Sequence, residues 1–429
     1  MEENNPIGEL LNLKKCDPAR IGVQIEELAT IRNPAIPGWT RRSFTPEYLK
    51  GREYVKARMQ EAGLEVRLDA GANMLGRWAG KNSQLPPLML GSHSDTVQGG
   101  GRFDGMAGLL GAIEAVRLLR EAGVRLEHPV EVVDFLAEEP SEFGISTVGS
   151  RAMVGNLQPE MLEATDPAGR TLRRGISEVG GDPERMNSEV RRPGSVAGYI
   201  EMHIEQGRKL YDAAIPLGVV TRIAGIRRYA VTVEGETDHA GATEMSRRRD
   251  ALTASCEIIL ALEALARQRE SRNVVATVGR LNVEPNSPNV VPGRTNFTAE
   301  MRSIWPEELV AIAEQFSKEA EEKATARNVA AILKMLSSGD PVVIPDPMQA
   351  LIEEACHASG HSYMRLPSGA GHDTNQLARI APVGMLFIPS INGKSHCPEE
   401  ETALEDVAAG VDTLVQALLL MDSQLDRLL

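Results

Sequence analysis

The chain contains few cysteines, and their positions exclude two common kinds of site. Only four of its 429 residues are cysteine: Cys16, Cys256, Cys356 and Cys397. They lie far apart with no Cys-x-x-Cys pair, so neither a disulfide framework nor a thiolate zinc site is expected. Cys397 follows His396 directly, but neighbours in sequence supply no activating base. We interpret it as a small buried thiol rather than a nucleophile.

Long apolar runs and excess positive charge are also missing. No apolar run approaches the roughly 18 residues that span a bilayer, and the chain's start lacks the charged-then-apolar pattern of an export signal. We therefore expect a cytoplasmic protein with no membrane partner. The 46 basic residues are outnumbered by 60 acidic ones, for a net charge of −14, which argues against nucleic acid. The glycines at 99–101 lack the pattern of a phosphate or dinucleotide loop, which argues against nucleotide binding.

The sequence does contain alternating helix and strand patterns. Thr45 is suited to cap a helix that has Pro46 at its first position. Further along, an apolar run at 88–90, a helical pattern over 106–119 and an apolar strand pattern over 130–136 follow one another. This order predicts an α/β domain with a mixed, mainly parallel sheet.

The segment 217–339 has a different order of elements, β-α-β-β-α-β. That order predicts a ferredoxin-like α+β domain with a four-stranded sheet and two helices. Beyond it the α/β alternation resumes. We therefore expect a catalytic domain built from 1–216 and 340–429, with 217–339 inserted between its two parts.

Five scattered residues each lie in a context suited to a hydrolytic metal ion: His93, Asp104, Glu139, His203 and His396. Imidazole and carboxylate donors without thiolate suit a catalytic Zn²⁺-like ion. Each also has a simpler structural interpretation. His93 could be a strand-end histidine, Asp104 a helix cap, and His203 a histidine in an edge strand.

Two further acidic residues accompany these candidates. Asp95 lies two residues after His93, so both side chains point to the same side, and a carboxylate there could orient the imidazole rather than bind metal. Glu138 and Glu139 are adjacent at a strand end, where two buried like charges would be costly without a cation. One could bind metal while the other acts as general base, although an exposed acidic pair remains the alternative.

Eight strings carry a resemblance to a known family when taken together and in order. This sequence resembles the hydantoinase/carbamoylase group of dinuclear metal-dependent amidohydrolases, which includes N-carbamoyl-L-amino-acid hydrolases and allantoate amidohydrolases. The match begins near residue 45 and runs to the end. The strings are Gly91-Ser-His-Ser-Asp-Thr, Gly101-Arg-Phe-Asp-Gly, Glu138-Glu-Pro-Ser, His203-Ile-Glu-Gln-Gly, His239-Ala-Gly-Ala-Thr, Pro288-Asn-Val-Val-Pro-Gly, Gly369-Ala-Gly-His-Asp and Gly393-Lys-Ser-His.

The resemblance implies a metal centre and a base. Two divalent ions per subunit would be bridged by Asp104, one also held by His93 and His203 and the other by Glu139 and His396. Zn²⁺ is preferred, with Mn²⁺, Co²⁺ and Ni²⁺ as alternatives that these ligands also accept. Glu138 would serve as general base toward a metal-activated water.

The resemblance also implies a substrate pocket and a homodimer. The inserted domain would be a dimerisation or lid domain, from which His239 completes the partner subunit's site by donating to the developing oxyanion. Arg302 would hold a substrate carboxylate, although a surface charge at a strand end is its plainer interpretation. The remaining substrate-contacting positions implied are Gln206, Asn289, Gly369, Ala370 and His372.

These features together predict an amidohydrolase that cleaves a C–N bond in an N-carbamoyl amino acid or a related small ureido acid such as allantoate. The alternatives are an aminopeptidase, dipeptidase or N-deacylase with the same dinuclear core, and a metal-free binding protein on this scaffold. The chain departs from the family pattern at Glu142, where a cation is usual, and at Glu244, where proline is common. These departures concern the substrate rather than the reaction type.

Overall fold

The structure is a computed structural model that describes residues 13–424. The chain forms two compact units. The first consists of residues up to Thr221, together with Ile344–Leu366 and the part of the chain from His372 onward. The second consists of Arg222–Val343 and Pro367–Gly371.

The strands, in chain order, are β1 (Glu65–Leu68), β2 (Met74–Trp78), β3 (Leu88–His93), β4 (Val130–Phe135), β5 (Gly198–Ile204), β6 (Leu217–Ile223), β7 (Gly225–Glu234), β8 (Asp238–His239), β9 (Val274–Glu284), β10 (Val290–Val291), β11 (Arg294–Ser303), β12 (Ala330–Gly339), β13 (Val342–Val343), β14 (Tyr363–Ser368) and β15 (Val383–Ile388).

The α-helices are α1 (Pro18–Thr30), α2 (Pro46–Glu61), α3 (Met106–Glu121), α4 (Val148–Met153), α5 (Pro159–Leu162), α6 (Leu172–Glu178), α7 (Met186–Glu189), α8 (Lys209–Ala213), α9 (Ala251–Arg267), α10 (Pro306–Ala326), α11 (Asp346–Ser359), α12 (Thr374–Leu377) and α13 (Leu404–Gln424). Short 3₁₀ turns lie at Met245–Arg247, Glu270–Arg272 and Ile391–Gly393. Within residues 13–424, none of the helices has both the length and the hydropathy of a membrane span.

A large mixed sheet forms the framework of the first unit. Its strands run in the order β1-β2-β4-β3-β5-β15-β6-β13, and β14 pairs with β6. The four central strands β4, β3, β5 and β15 are parallel to one another, whereas β1, β2 and β6 pair antiparallel with their neighbours. Every residue of those four central strands is buried, as expected for parallel strands covered on both faces.

Local sequence explains how the helices beside this sheet begin and end. Thr45 caps α2 by accepting a hydrogen bond from the Tyr48 amide, and Pro46 occupies the first turn. Gly63, with φ of 77°, follows the end of that helix, where an L-residue with a side chain would be strained. Thr45 and Pro46 thus confirm the predicted start of this helix, and Gly63 accounts for its end.

The second unit is a four-stranded antiparallel sheet with two helices. The strand order is β12-β7-β11-β9, and α9 and α10 supply the connections. Its core joins the alternate residues Phe297, Ala299 and Met301 of β11 to the apolar faces of these helices. The chain order β-α-β-β-α-β is the one predicted for a ferredoxin-like unit.

Several elements were not predicted from the sequence. Helix α1 precedes the region in which the sequence predicts alternating helices and strands, and β2 was not predicted. The segment between β4 and β5 contains four short helices, which are too short to show a clear apolar period.

Candidate metal centre

The first cluster of metal-compatible side chains lies where central strands end. His93 is the last residue of β3, and His203 lies near the end of the adjacent parallel strand β5. Asp104 comes from the loop before α3. Its Oδ1 is 3.2 Å from Nε2 of His203 and 3.5 Å from Nε2 of His93. One ligand atom from each residue lies within 4.8 Å of the others, a spacing that one cation could bridge.

A second cluster shares Asp104 with the first. Nε2 of His396 is 3.1 Å from Oε1 of Glu139 and 3.4 Å from Oδ2 of Asp104. Asp104 therefore presents one carboxylate oxygen to each cluster. A carboxylate between two donor sets is the arrangement that a bridging ligand requires.

The donor set fits hard or borderline divalent ions. It contains only imidazole nitrogens and carboxylate oxygens, which suit Zn²⁺ or Mn²⁺ at a hydrolytic site. His93 and His203 are 1% exposed and Asp104 is 5% exposed, so their charges are largely removed from water. Buried anions of this kind need a compensating positive charge.

The pKa values of Asp104 and His396 are shifted by burial and by the opposite charges beside them. Burial acts to raise the pKa of Asp104, but the charge of His203 and hydrogen bonds from the three histidines hold it well below its usual value. Burial acts to lower the pKa of His396, but its hydrogen bonds to Asp104 and Glu139 raise it to about 11.

Backbone carbonyls orient the two strand histidines. Nδ1 of His93 lies 3.0 Å from the carbonyl oxygen of Asp95, and Nδ1 of His203 lies 2.9 Å from that of Ile204. A ring that donates from Nδ1 presents Nε2 as the ligand atom. The Nε2 atoms are those that face Asp104.

The carboxylate of Asp95 has more partners than the sequence indicated. It lies 3.5 Å from Nδ1 of His93, but it also accepts hydrogen bonds from the backbone amides of Glu138 (3.3 Å) and Glu139 (3.2 Å). Ser43 donates to the same carboxylate at 2.7 Å. Asp95 thus anchors the turn that carries the acidic pair.

Glu138 lies beside the first cluster. Its Oε2 is 3.8 Å from Nε2 of His93, and the residue is 9% exposed. Burial raises its pKa well above that of an exposed glutamate, and the negative charges of Glu139 and Asp373 act in the same direction. The charge of His93 acts in the opposite direction but does not cancel the effect. A raised pKa favours a carboxylate that takes up and returns a proton.

Three of the simpler interpretations are wrong. Asp104 does not cap α3, because the residue before that helix is Gly105 and no side chain caps it. His203 is not in an edge strand, because β5 lies between β3 and β15 in the interior of the sheet. The exposed acidic pair is also excluded, since Glu138 and Glu139 are buried.

Gln206 and His372 lie next to these clusters. Nε2 of Gln206 donates to Oδ2 of Asp104 at 2.6 Å and lies 3.3 Å from Nε2 of His396. The buried ring of His372 packs edge-on against His203, with ring centroids 4.6 Å apart. Both residues belong to the first unit.

The other predicted substrate contacts belong to the second unit. His239 pairs with Val290 in a two-stranded ribbon, and the carbonyl of Asn289 accepts from the Ala240 amide at 3.0 Å. Nδ1 of His239 accepts hydrogen bonds from the amides of Gly241 and Ala242, at 3.0 and 3.1 Å. A neutral ring with Nδ1 as acceptor carries its proton on Nε2, so His239 can donate from that atom.

Arg302 lies on the face of the second unit's sheet opposite the helices. Its Nε donates to Glu300 at 2.7 Å, and Nη1 lies 3.4 Å from the carbonyl oxygen of Gly369. In the adjacent turn, the Ala370 amide donates to Ser368 Oγ at 3.2 Å. The guanidinium is therefore oriented by a carboxylate within its own unit.

The two departures from the family pattern occupy different surroundings. Glu142 forms an ion pair with Arg42, a residue on a distant part of the chain. Glu244 is 71% exposed in its side chain and lies 3.3 Å from Arg247 within the same turn. The charge of Glu142 is thus compensated by that of Arg42.

Glu400 is a further buried residue at this site, and it was not predicted from the sequence. This carboxylate is 1% exposed and contacts the backbone of the loops that carry Asp104 and His396. It stands in Cys397-Pro-Glu-Glu, where it resembles an ordinary surface acid. No motif or periodicity distinguishes it from its neighbour Glu401.

The chain is similar to several known proteins. The model for peptidase family M20/M25/M40 matches residues 89–420. The chain belongs to this family. It is 40% identical to an N-carbamoyl-L-amino acid amidohydrolase of Geobacillus stearothermophilus, over 92% of this chain and 96% of that protein. It is 35% identical to an allantoate amidohydrolase of Bacillus subtilis, over 92% and 95% of the two chains.

Solved structures of related amidases are also similar to this chain. The crystal structure of an amidase of the hydantoinase/carbamoylase family from Burkholderia vietnamiensis is similar, with a TM-score of 0.87 and 32% identity over 96% of this chain and 98% of that chain. The predicted resemblance to the hydantoinase/carbamoylase group is confirmed, and the chain is an enzyme of the amidohydrolase type.

Proposed function

We propose that this enzyme hydrolyses a C–N bond in an N-carbamoyl amino acid or a related small ureido acid such as allantoate. The observation that carries the proposal is the pair of donor clusters that share Asp104, one oxygen facing each. The named activities of the Geobacillus and Bacillus relatives support a ureido substrate.

Two divalent ions per subunit, with Zn²⁺ preferred, would be held by the residues of the two clusters. His93, His203 and Asp104 would form one site, and Asp104, Glu139 and His396 the other. Bound there, the ions would supply Lewis acidity, which acidifies water and polarises a carbonyl oxygen. The donor types and the burial of the clusters support this assignment.

Glu138 is the proposed general base. It would take a proton from the attacking water and return it to the departing nitrogen, so that the carboxylate is regenerated. Its position 3.8 Å from His93 and its raised pKa support this role. Asp95 would keep Glu138 in place through the hydrogen bond that it accepts from the Glu138 amide.

His239 and Arg302 are proposed to bind the substrate from the second unit. His239 would donate from Nε2 to the oxygen that gains charge in the transition state. Arg302 would hold the substrate carboxylate, since a guanidinium binds a carboxylate through two parallel hydrogen bonds. The remaining proposed contacts are Gln206, Asn289, Gly369, Ala370 and His372.

We further propose a homodimer in which His239 acts on the partner subunit's substrate. The exposed apolar side chains of the edge strand β12, Ile332, Met335 and Leu336, support an association surface there. The cytoplasmic location stays a prediction from the sequence.

A substrate screen tests the proposed function. Metal-reconstituted enzyme would be given N-carbamoyl-L-amino acids, allantoate, ureidoglycolate, β-ureidopropionate, N-acetyl amino acids and dipeptides, with ammonia and amine release followed separately. We expect ammonia from at least one ureido acid and at least a hundredfold lower turnover of the acetylated and dipeptide compounds. Faster cleavage of a dipeptide or an N-acetyl amino acid would contradict the proposal.

A further inference from the structure

We infer that Glu400 is a positioning residue that fixes the loops carrying Asp104 and His396 at the spacing needed to bind metal. The inference rests on the dinuclear centre proposed above, and it concerns a residue that does not itself belong to either donor cluster.

Each oxygen of Glu400 contacts one of the two loops. Oε1 accepts hydrogen bonds from the amides of Phe103 (2.9 Å) and Asp104 (3.0 Å). Oε2 accepts from the hydroxyl of Ser395 (3.0 Å) and from the amide of His396 (3.3 Å). A single side chain therefore joins the backbone of two proposed ligands that are far apart in sequence.

The carboxylate of Glu400 is buried and closely packed. Glu400 is 1% exposed, and a Cβ added at Gly101 would lie 2.1 Å from its Oε1. The loop before Asp104 thus packs directly on the carboxylate. The hydroxyl of Ser395 is also 3.1 Å from Oδ2 of Asp104, which adds a second connection between the loops.

Of the three proposed ligands that lie in loops, Glu400 contacts two, Asp104 and His396, whereas Asp95 anchors the turn that carries Glu139. His93 and His203 lie within β3 and β5, where ladder hydrogen bonds fix the backbone. Asp104 and His396 lie outside the strands and α-helices, and His396 has a φ of 56°. Outer residues that orient metal ligands typically contribute about 10- to 100-fold to metal affinity.

The acceptor chemistry makes a conservative test possible. A carboxylate accepts at both oxygens, whereas a glutamine of the same length has an NH₂ group that can only donate. Glu400→Gln would therefore place a donor against one pair of donors and release one loop. Glu400→Asp would keep the charge but shorten the side chain by one methylene, so that it could not reach both loops.

Glu401→Gln is the matched control. Glu401 is the next residue, undergoes the same loss of charge, and pairs at 2.6 Å with Arg102, beside the same loop. Its contact is with a side chain at the surface and not with the backbone of a proposed ligand. The control therefore separates a general charge effect from the positioning role.

The experiment is a Zn²⁺ titration of the metal-free full chain against a chromophoric chelator, with thermal unfolding of each variant recorded in parallel. We expect two binding steps in the wild type. Both Glu400→Gln and Glu400→Asp should weaken at least one step by about 10- to 100-fold. Glu401→Gln should stay within about threefold of wild type, the scale of a surface pair. If Glu400→Gln does not fold, Glu400→Asp carries the same comparison.

Three results would overturn the inference. Wild-type affinity at both steps in a folded Glu400→Gln or Glu400→Asp variant would remove the positioning role and leave the dinuclear centre intact. An equal loss of Zn²⁺ affinity in Glu401→Gln would show that the effect comes from the lost charge and not from positioning. A wild-type chain that binds no Zn²⁺ would instead reject the proposed centre, and the role of Glu400 with it.

Discussion

The two compact units bury different kinds of side chain. The second unit has a core of alanine, aliphatic and aromatic residues, and Arg228, Glu300 and Arg302 form their ion pairs on the opposite face of the sheet. The first unit buries ionisable residues within its central strands and in the loops beside them, including Asp95, Asp104 and Glu201.

The difference indicates where folding and function compete. An apolar core stabilises a unit without any partner, whereas buried carboxylates are costly unless they are compensated. We infer that the first unit depends on bound cations for part of its stability and that the second does not. The predictions below test this contrast, beginning with the largest expected effect.

Glu138→Gln tests whether the first unit contains the base. Glutamine preserves the shape but cannot take up the proton, so kcat should fall by on the order of 10² to 10⁴. Metal content, measured by elemental analysis, should stay at the wild-type value because Glu138 is not among the donors. Near-normal turnover would remove Glu138 from the base role.

His239→Ala tests whether the second unit contributes to the chemistry without contributing to metal binding. Loss of one oxyanion donor typically lowers kcat by about 10² to 10³. Metal content should again be unchanged.

Mixing His239→Ala with Glu138→Gln extends this test to the subunits. If His239 acts on the partner's substrate, mixed dimers contain one site with both residues intact, and some activity should return. Subunit exchange would be followed with differently tagged chains. An absence of recovery despite exchange would count against a shared site.

Removal of the metal tests the contrast in stability directly. An ion present at one hundred times its Kd stabilises the folded state by about 2.7 kcal/mol, so chelation should lower the unfolding temperature. Hydrogen exchange should accelerate in the loops that carry Asp104 and Glu138 and stay constant in β7 and β11. Equal acceleration of hydrogen exchange in both units would contradict the expected difference in their dependence on metal.

The ion pair between Arg42 and Glu142 should have the smallest effect. The two side chains are 18% and 49% exposed, and an exposed pair contributes roughly 0 to 1 kcal/mol. Glu142→Gln should therefore shift the free energy of unfolding by less than about 1 kcal/mol in a denaturant titration. A larger shift would mean that this departure from the family pattern is structural.

Regular patterns in the sequence predicted much of the fold. The parallel strands near His93 and Glu138 and the order of elements in the second unit follow from local periodicity and turn signals. Helix α1 was not predicted, although Asp17 caps it and Pro18 lies in its first turn, the same start signals as at Thr45 and Pro46. Strand β2 has only five residues and pairs with β4, which is distant in sequence. The bounds of the predicted helices differ from the observed ones by a few residues, since helix ends depend on local capping.

The residues of the candidate site that would bind metal were predicted from the sequence, but the contacts that support them were not. Family strings identified the residues of both donor clusters, and the structure brings them together. The partners of Asp95 and the position of Glu400 could not be predicted, because both depend on backbone amides from segments distant in sequence. A carboxylate that accepts from backbone leaves no pattern in its own neighbourhood.

The most direct test of the central claim is anomalous X-ray diffraction from crystals of the chain loaded with Zn²⁺, recorded on both sides of the zinc absorption edge. We expect two anomalous peaks per subunit, with one carboxylate oxygen of Asp104 on each. A single peak, or two peaks that do not share Asp104, would contradict the claim.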